Sequence, residues 1–224
     1  MLDVIYHKAR TRVCDLAATL SDEQLQTPVP ATPDWTVREL LAHLVGGAAD
    51  AASGRLDGVT SEQWTARHVE ERRCDSVSDL LAEWDRVGPA AESRLADNQV
   101  FGPNLAADAI CHEGDLREAL GLPRVDREHW QPFLEVMMFY LRKQLRHTTT
   151  LLIRDEHGQH WSCGSGEPTT LLRADGYELL RASFSRRSQG QIAAWNWTPA
   201  PAEQMIERFG FFGPRDDDQP IPVA

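Results

Sequence analysis

Cysteine is scarce and scattered in this chain: Cys14, Cys74, Cys111 and Cys163 form no C-x-x-C pair. That spacing gives neither a zinc ribbon nor a disulfide framework, so four free thiols in a reducing compartment are expected. Basic charge is also short. With 34 acidic against 23 basic residues, a net charge of −11 and no basic stripe, the chain has little with which to neutralise phosphates. This argues against nucleic acid and anionic membranes as partners and leaves small molecules. There is no run of about 18 apolar residues that could span a bilayer. The opening MLDVIYHKAR lacks the cationic and apolar regions of a secretory signal, and a cytoplasmic location is expected. No internal repeat is visible, and 224 residues suffice for one domain of ordinary size plus a smaller second one.

What the chain does have is helical periodicity over its first two thirds. Residues 2 to 20 read as an amphipathic helix with Ile5, Val13, Leu16 and Leu20 inward, ended by the Pro-rich connection TPVPATPDW. A second helix begins near Trp35 with Thr36 or Asp34 as cap, and Gly46 and Gly47 mark a point where it would weaken or bend. A third opens on Ser76 or Ser78 and buries Leu80, Leu81, Trp84 and Val87, with a kink or break expected at Pro89. A fourth lies between Gly102-Pro103 and Gly121-Pro123, and a fifth runs from about Glu128 to His147 with Phe133, Val136, Met137, Tyr140, Leu141 and Leu145. Short connections imply antiparallel packing into a bundle.

After residue 147 the pattern changes. TTTLLIRD, the turn EHGQ and HWSCGSG read as a β-hairpin, followed by a third strand in PTTLLRA and two short helices near 175–185 and 201–209. The expected class is α+β, with a helical domain over 1–147, a small α+β domain over 148–213 and a disordered acidic, Pro-rich tail over 214–224.

The fourth helix carries the feature that matters most. At about 100° per residue, Leu105, Asp108, Ala109, His112, Leu116 and Ala119 share one face, so a carboxylate and an imidazole point where the core should be. A buried carboxylate needs a basic residue, a protonated neighbour or a metal ion. On the second helix His43 edges the stripe of Val37, Leu40, Leu41 and Leu44, about 60° from Leu40 in projection, and can face the core as well. His43, Asp108 and His112 together would form an N2O metal site with a position open for water or substrate. The competing account is a core histidine and a buried Asp108–His112 ion pair without metal.

Asp115 could orient His112, cap a neighbouring helix or lie on a solvated face. Cys111 points about 100° away from His112 and is a poor ligand candidate. His157 and His160 sit on a predicted turn and read as exposed; His7, His68, His129 and His147 have no companion at ligand spacing. Trp35, Trp84, Trp130, Trp161, Trp195 and Trp197 read as core anchors.

Three phrases carry a family resemblance: WTVRELLAHL at Trp35–Leu44, DAICHEGDL at Asp108–Leu116 and LLRASFSRRS at Leu179–Ser188. They resemble the mycothiol-dependent maleylpyruvate isomerase family. The resemblance implies a DinB-like helical bundle that binds a divalent metal, usually zinc, and a C-terminal region similar to sterol-carrier folds. It also implies metal ligands at His43, Asp108 and His112, with Asp108 standing where the family has a longer Glu. From the same family it implies an active-site arginine, which falls on Arg186, with Arg187 as the alternative and Ser185 where the family has Gly. An arginine there would be catalytic and would anchor the cofactor or a carboxylate of the substrate.

The chemistry so implied is thiol-dependent. Mycothiol, or another small thiol, would become a thiolate at the metal and add to an activated C=C bond; the resulting single bond would rotate before the thiol leaves, or the adduct would be released as in an S-transferase. Two alternatives stand beside it: a non-catalytic binding protein with a structural metal or none, and a metal-dependent hydrolase or transferase using water.

Overall fold

The computed structural model describes residues 2–96, 102–146 and 150–222, and they divide into two compact units, one spanning Met1–Arg124 with the residues from Ile221 onward, the other Val125–Pro220. The architecture is α+β. Among the described residues no helix is long and apolar enough to cross a membrane.

The first unit contains α1 (Leu2–Ala17), α2 (Asp22–Leu25), β1 (Pro28–Val29), β2 (Thr32–Thr36), α3 (Val37–Ser53), α4 (Glu62–Glu71), α5 (Val77–Ala96) and α6 (Gly102–Ala119). The four long helices pack in the cyclic order α1, α5, α3, α6, and α4 lies against α3. The core is built where the apolar stripes meet: Val13 and Ala17 of α1, Leu40, Leu41, Leu44 and Val45 of α3, Leu80 and Trp84 of α5, and Leu116 of α6. Each large side chain so enclosed contributes about 1.5–3 kcal/mol. Trp84 pairs its one polar atom inside this core, with Nε1 donating to the Tyr6 hydroxyl at 2.9 Å.

Several local expectations are corrected. The Pro-rich connection is not featureless: Ser21 and Gln24 form a capping box that starts α2, and β1 and β2 pair as an antiparallel hairpin. α3 runs unbroken through Gly46 and Gly47, with both flanking turns buried against α4, α5 and α6. α5 runs through Pro89 as one helix, and the cost of the lost backbone donor is offset by burial of Trp84, Val87, Ala91 and Leu95 on either side. α4 is an additional helix, capped by Ser61, whose side chain accepts from the Trp64 N–H.

The second unit contains α7 (Arg127–Leu145), β3 (Leu151–Arg154), β4 (His160–Cys163), β5 (Thr170–Arg173), α8 (Gly176–Ser183), α9 (Gln189–Ala193), β6 (Asn196–Thr198) and α10 (Glu203–Ile206). Its sheet has the order β4-β3-β5-β6; β3 pairs antiparallel with β4 in the expected hairpin but parallel with β5, and β6 closes the other edge antiparallel. α7 packs on α8 and β4, so the compact units part at Arg124/Val125, whereas the change of pattern in the sequence falls at 147. His147 lies outside the described residues.

The acidic segment after Pro214, through Gln219, is hydrogen-bonded to the start of α9. Ser188 Oγ donates to Asp218 at 2.5 Å, the Gln219 N–H donates to Gln191 Oε1 at 3.1 Å, and Gln191 Nε2 returns a bond to the Gln219 carbonyl at 2.7 Å. These bonds give the polar segment the partners that composition alone did not reveal.

Candidate metal centre

Local signals place the first histidine. Thr36 caps α3: its side chain accepts from the Glu39 N–H at 3.3 Å, and the Glu39 carboxylate accepts from the Thr36 N–H at 2.7 Å. Such a box contributes about 1 kcal/mol and sets the helical phase. Two turns on, His43 is 2% exposed among the buried Leu40, Leu44 and Gly47. On α6 the phase set by Leu105, Ala109 and Leu116, all buried, carries Asp108 and His112 to the same side.

The three side chains meet. His43 Nε2 lies 3.3 Å from one oxygen of Asp108, and His112 Nε2 lies 3.3 Å from the other. The two rings stand nearly perpendicular, 83° apart with centroids separated by 5.2 Å. One donor atom from each residue lies within 4.8 Å of the others. Asp108, one methylene shorter than Glu, reaches both rings and keeps 30% of its side chain exposed, so the site has an open side. Trp35 covers His43 at 4.9 Å between ring centroids, and Trp64 meets it edge-on at 6.1 Å.

The electrostatics favour a cation. Burial disfavours the Asp108 charge, but the His43 and His112 rings outweigh it and hold the carboxyl well below the usual range. Burial likewise opposes a proton on His112, yet the Asp108 and Asp115 carboxylates raise it to about 9. Two imidazoles gathered on an ionised carboxylate form a donor set suited to a divalent ion of the zinc type. His43 and His112 through Nε2 and Asp108 through its carboxylate would hold it. A second group, Cys111, His112 and Asp115, also has donor atoms within 4.8 Å. There Asp115 is engaged otherwise: its Oδ2 accepts from His112 Nδ1 at 2.8 Å, the orienting role among those left open for it.

One functional neighbour escapes the sequence reading. His68, on α4, is fully buried; its Nδ1 lies 3.3 Å from His43 Nδ1, and its Nε2 donates to Asp50 Oδ2 at 2.9 Å. Asp50, also fully buried, accepts from Arg55 Nε at 2.7 Å and Arg67 Nη2 at 2.5 Å. Burial pushes His68 down to about 4. Burial would raise Asp50, but Arg67, His68 and Arg55 hold it below its ordinary value. The only local hint is the pair Trp64 and His68 at helical spacing behind Ser61.

In the second unit, Arg187 is fully buried and held at two points by Glu178, through Nε at 2.5 Å and Nη2 at 2.8 Å. Arg186 is half-buried and donates to the Phe184 carbonyl at 3.0 Å. Ser185, where the resemblance implied Gly, has φ +59°, the left-handed region that favours glycine. His157 and His160 are exposed on the hairpin as expected, and all four cysteines are free thiols.

Comparison with known proteins bears on the fold and on the first part of the chain. The family model described as "Mycothiol maleylpyruvate isomerase N-terminal domain" matches residues 6–103. Residues 6–103 are thus similar to the N-terminal domain of that family. The match includes His43 and His68 and stops short of Asp108. Two solved structures share the fold over both units: a mycothiol-dependent maleylpyruvate isomerase carrying a histidine-to-alanine substitution, with a TM-score of 0.60, and the isomerase without it, with a TM-score of 0.56. Each is 9% identical, covering 90% of this chain and 93% of the other. No curated protein sequence matches the chain significantly.

Proposed function

We propose that this chain is a metal-dependent, thiol-dependent enzyme, an isomerase or S-transferase using mycothiol on a small carboxylate-bearing molecule in the manner of maleylpyruvate isomerase. The observation that carries the proposal is the N2O donor set of His43, Asp108 and His112, open on the Asp108 side, with His43 inside the segment that matches that family's N-terminal domain. A divalent ion held by these three residues, zinc on this donor chemistry, would supply the Lewis acidity that favours an ionised thiol at neutral pH.

The chain's own residues do the rest. Asp115 holds the His112 ring so that Nε2 faces Asp108. Trp35 and Trp64 wall His43 with apolar surface, which excludes water and strengthens the charges within. Arg186 is the proposed catalytic anchor for a carboxylate of substrate or cofactor. Arg187 fits that role less well because Glu178 occupies its guanidinium in the interior.

The test is elemental analysis of wild type and His112→Ala, followed by turnover of maleylpyruvate with and without mycothiol. About one zinc per chain, lost in the variant, and turnover that requires the thiol support the proposal. Turnover of other substrates without thiol would make the protein a metal-dependent hydrolase. A chain that binds no metal even after reconstitution overturns the reading.

A further inference from the structure

The polar chain behind His43 has a direction. Asp50 sits between two guanidinium groups and therefore acts only as an acceptor, so His68 must present Nε2–H to it. A neutral His68, enclosed in the interior against Trp64 with ring centroids 4.0 Å apart, then has a lone pair on Nδ1. That lone pair faces His43 Nδ1 at 3.3 Å, and one hydrogen must lie between the two nitrogens. It has to come from His43. The His43 ring then carries its hydrogen on Nδ1 and turns an unprotonated Nε2 to the place where Asp108 waits at 3.3 Å.

The fold makes room for this arrangement at one point. A Cβ at Gly46 would overlap the Cβ, Cγ and Cδ2 atoms of His68, so glycine on α3 is what lets the α4 ring lie against the helix and reach His43.

We infer that Asp50 and His68 are positioning residues that fix His43 as its Nδ1–H tautomer and aim Nε2 at the metal. The inference rests on the proposed metal centre. His112 has the matching device in Asp115, so each histidine ligand is oriented through Nδ1, one by a carboxylate directly and the other by a carboxylate acting through a second imidazole. Neither Asp50 nor His68 would touch the ion.

The experiment pairs long-range ¹H–¹⁵N spectra of the histidine rings, on the full chain with and without zinc, with zinc affinity measured against a competing chelator. The expected spectrum has His68 protonated at Nε2 and bare at Nδ1, and His43 protonated at Nδ1. His68→Leu should bind zinc about 10- to 100-fold more weakly. His68→Gln, whose amide offers both an acceptor and a donor, should recover most of that loss. A His68 ring protonated at Nδ1 overturns the inference. So does His68→Leu binding zinc as tightly as wild type. If wild type binds no zinc, the metal reading fails instead, while the His68 tautomer still reports on the chain; and if His68→Leu does not fold, the spectrum of the wild type decides alone.

Discussion

Asp115 Oδ2 accepts a hydrogen bond from His112 Nδ1 at 2.8 Å, and this bond turns Nε2 of the same ring to Asp108. The carboxylate is three residues along α6 from the histidine it orients and has no exposed side-chain surface. Asp115→Asn keeps the shape but can present an amide N–H where an acceptor is required. Zinc affinity should fall by about 10- to 100-fold while the stoichiometry at saturating zinc stays at about one per chain. Competition titration against a chelator of known affinity measures this, and unchanged affinity would remove Asp115 from the site.

The pH response of chelator-stripped protein follows from His112. Its value rises from about 6.5 in the unfolded chain to about 9 in the folded one, held there by Asp108 and Asp115. A raised histidine contributes stability that is complete below the unfolded value and is lost as pH climbs through the folded one. The melting temperature should therefore decline between about pH 7 and pH 10, and His112→Gln should flatten the decline. Burial pushes the Cys14 and Cys163 thiols up to about 11, which acts in the same direction at the alkaline end. Only the difference between wild type and variant isolates His112.

Arg186 and Arg187 should separate cleanly. Removing the Arg187 guanidinium leaves Glu178 without its two-point partner in the interior, and Arg187→Met should cost about 3–5 kcal/mol in chemical denaturation. Arg186→Ala should cost about 1 kcal/mol or less but lower kcat/KM in the thiol-dependent assay by about 10- to 100-fold, the worth of a charged hydrogen bond to a carboxylate. Equal stability losses, or turnover that survives Arg186→Ala, would move the anchor elsewhere.

Gly46→Ala is the smallest change that should disturb the His43 ring from behind. The added methyl overlaps His68, and forcing α3 and α4 apart should cost about 1–3 kcal/mol. Urea denaturation reads the stability. Zinc affinity should fall alongside it, whereas Gly47→Ala, whose Cβ would meet Leu105, Trp64 and Asp108 at ordinary contact distances of 3.7–4.0 Å, should leave the fold nearly as stable.

The parts of this molecule legible in the sequence are those whose cause is local. The Thr36–Glu39 box gives the phase of α3, and the spacing of Leu105, Ala109, His112 and Leu116 gives that of α6, so helical phase turns His43, Asp108 and His112 inward, and the packing of α3 on α6 brings them together. His68 is not legible because its partners are 18 and 25 residues away on another helix, and no spacing rule connects them. α4 itself is mostly polar, with few apolar positions to reveal its phase. The unit to which α7 belongs is hidden for a related reason: periodicity shows that a helix buries Phe133, Met137 and Leu141, but not that it packs on β4 and α8. The parallel pairing of β3 with β5 is likewise a choice of neighbour that strand pattern leaves open.

The stitching of Asp218 and Gln219 onto Ser188 and Gln191 gives the second unit an order of assembly. A nascent chain that has emerged only as far as Gly213 already holds every strand of the sheet and the Ser188–Gln191 capping box, but Asp218 and Gln219, which bind the outer side of that box, have yet to be synthesised. The seam along α9 is closed by residues made after the rest of the unit, so during synthesis this edge stays open longest, and a translational pause before residue 215 would prolong its exposure to proteases and chaperones.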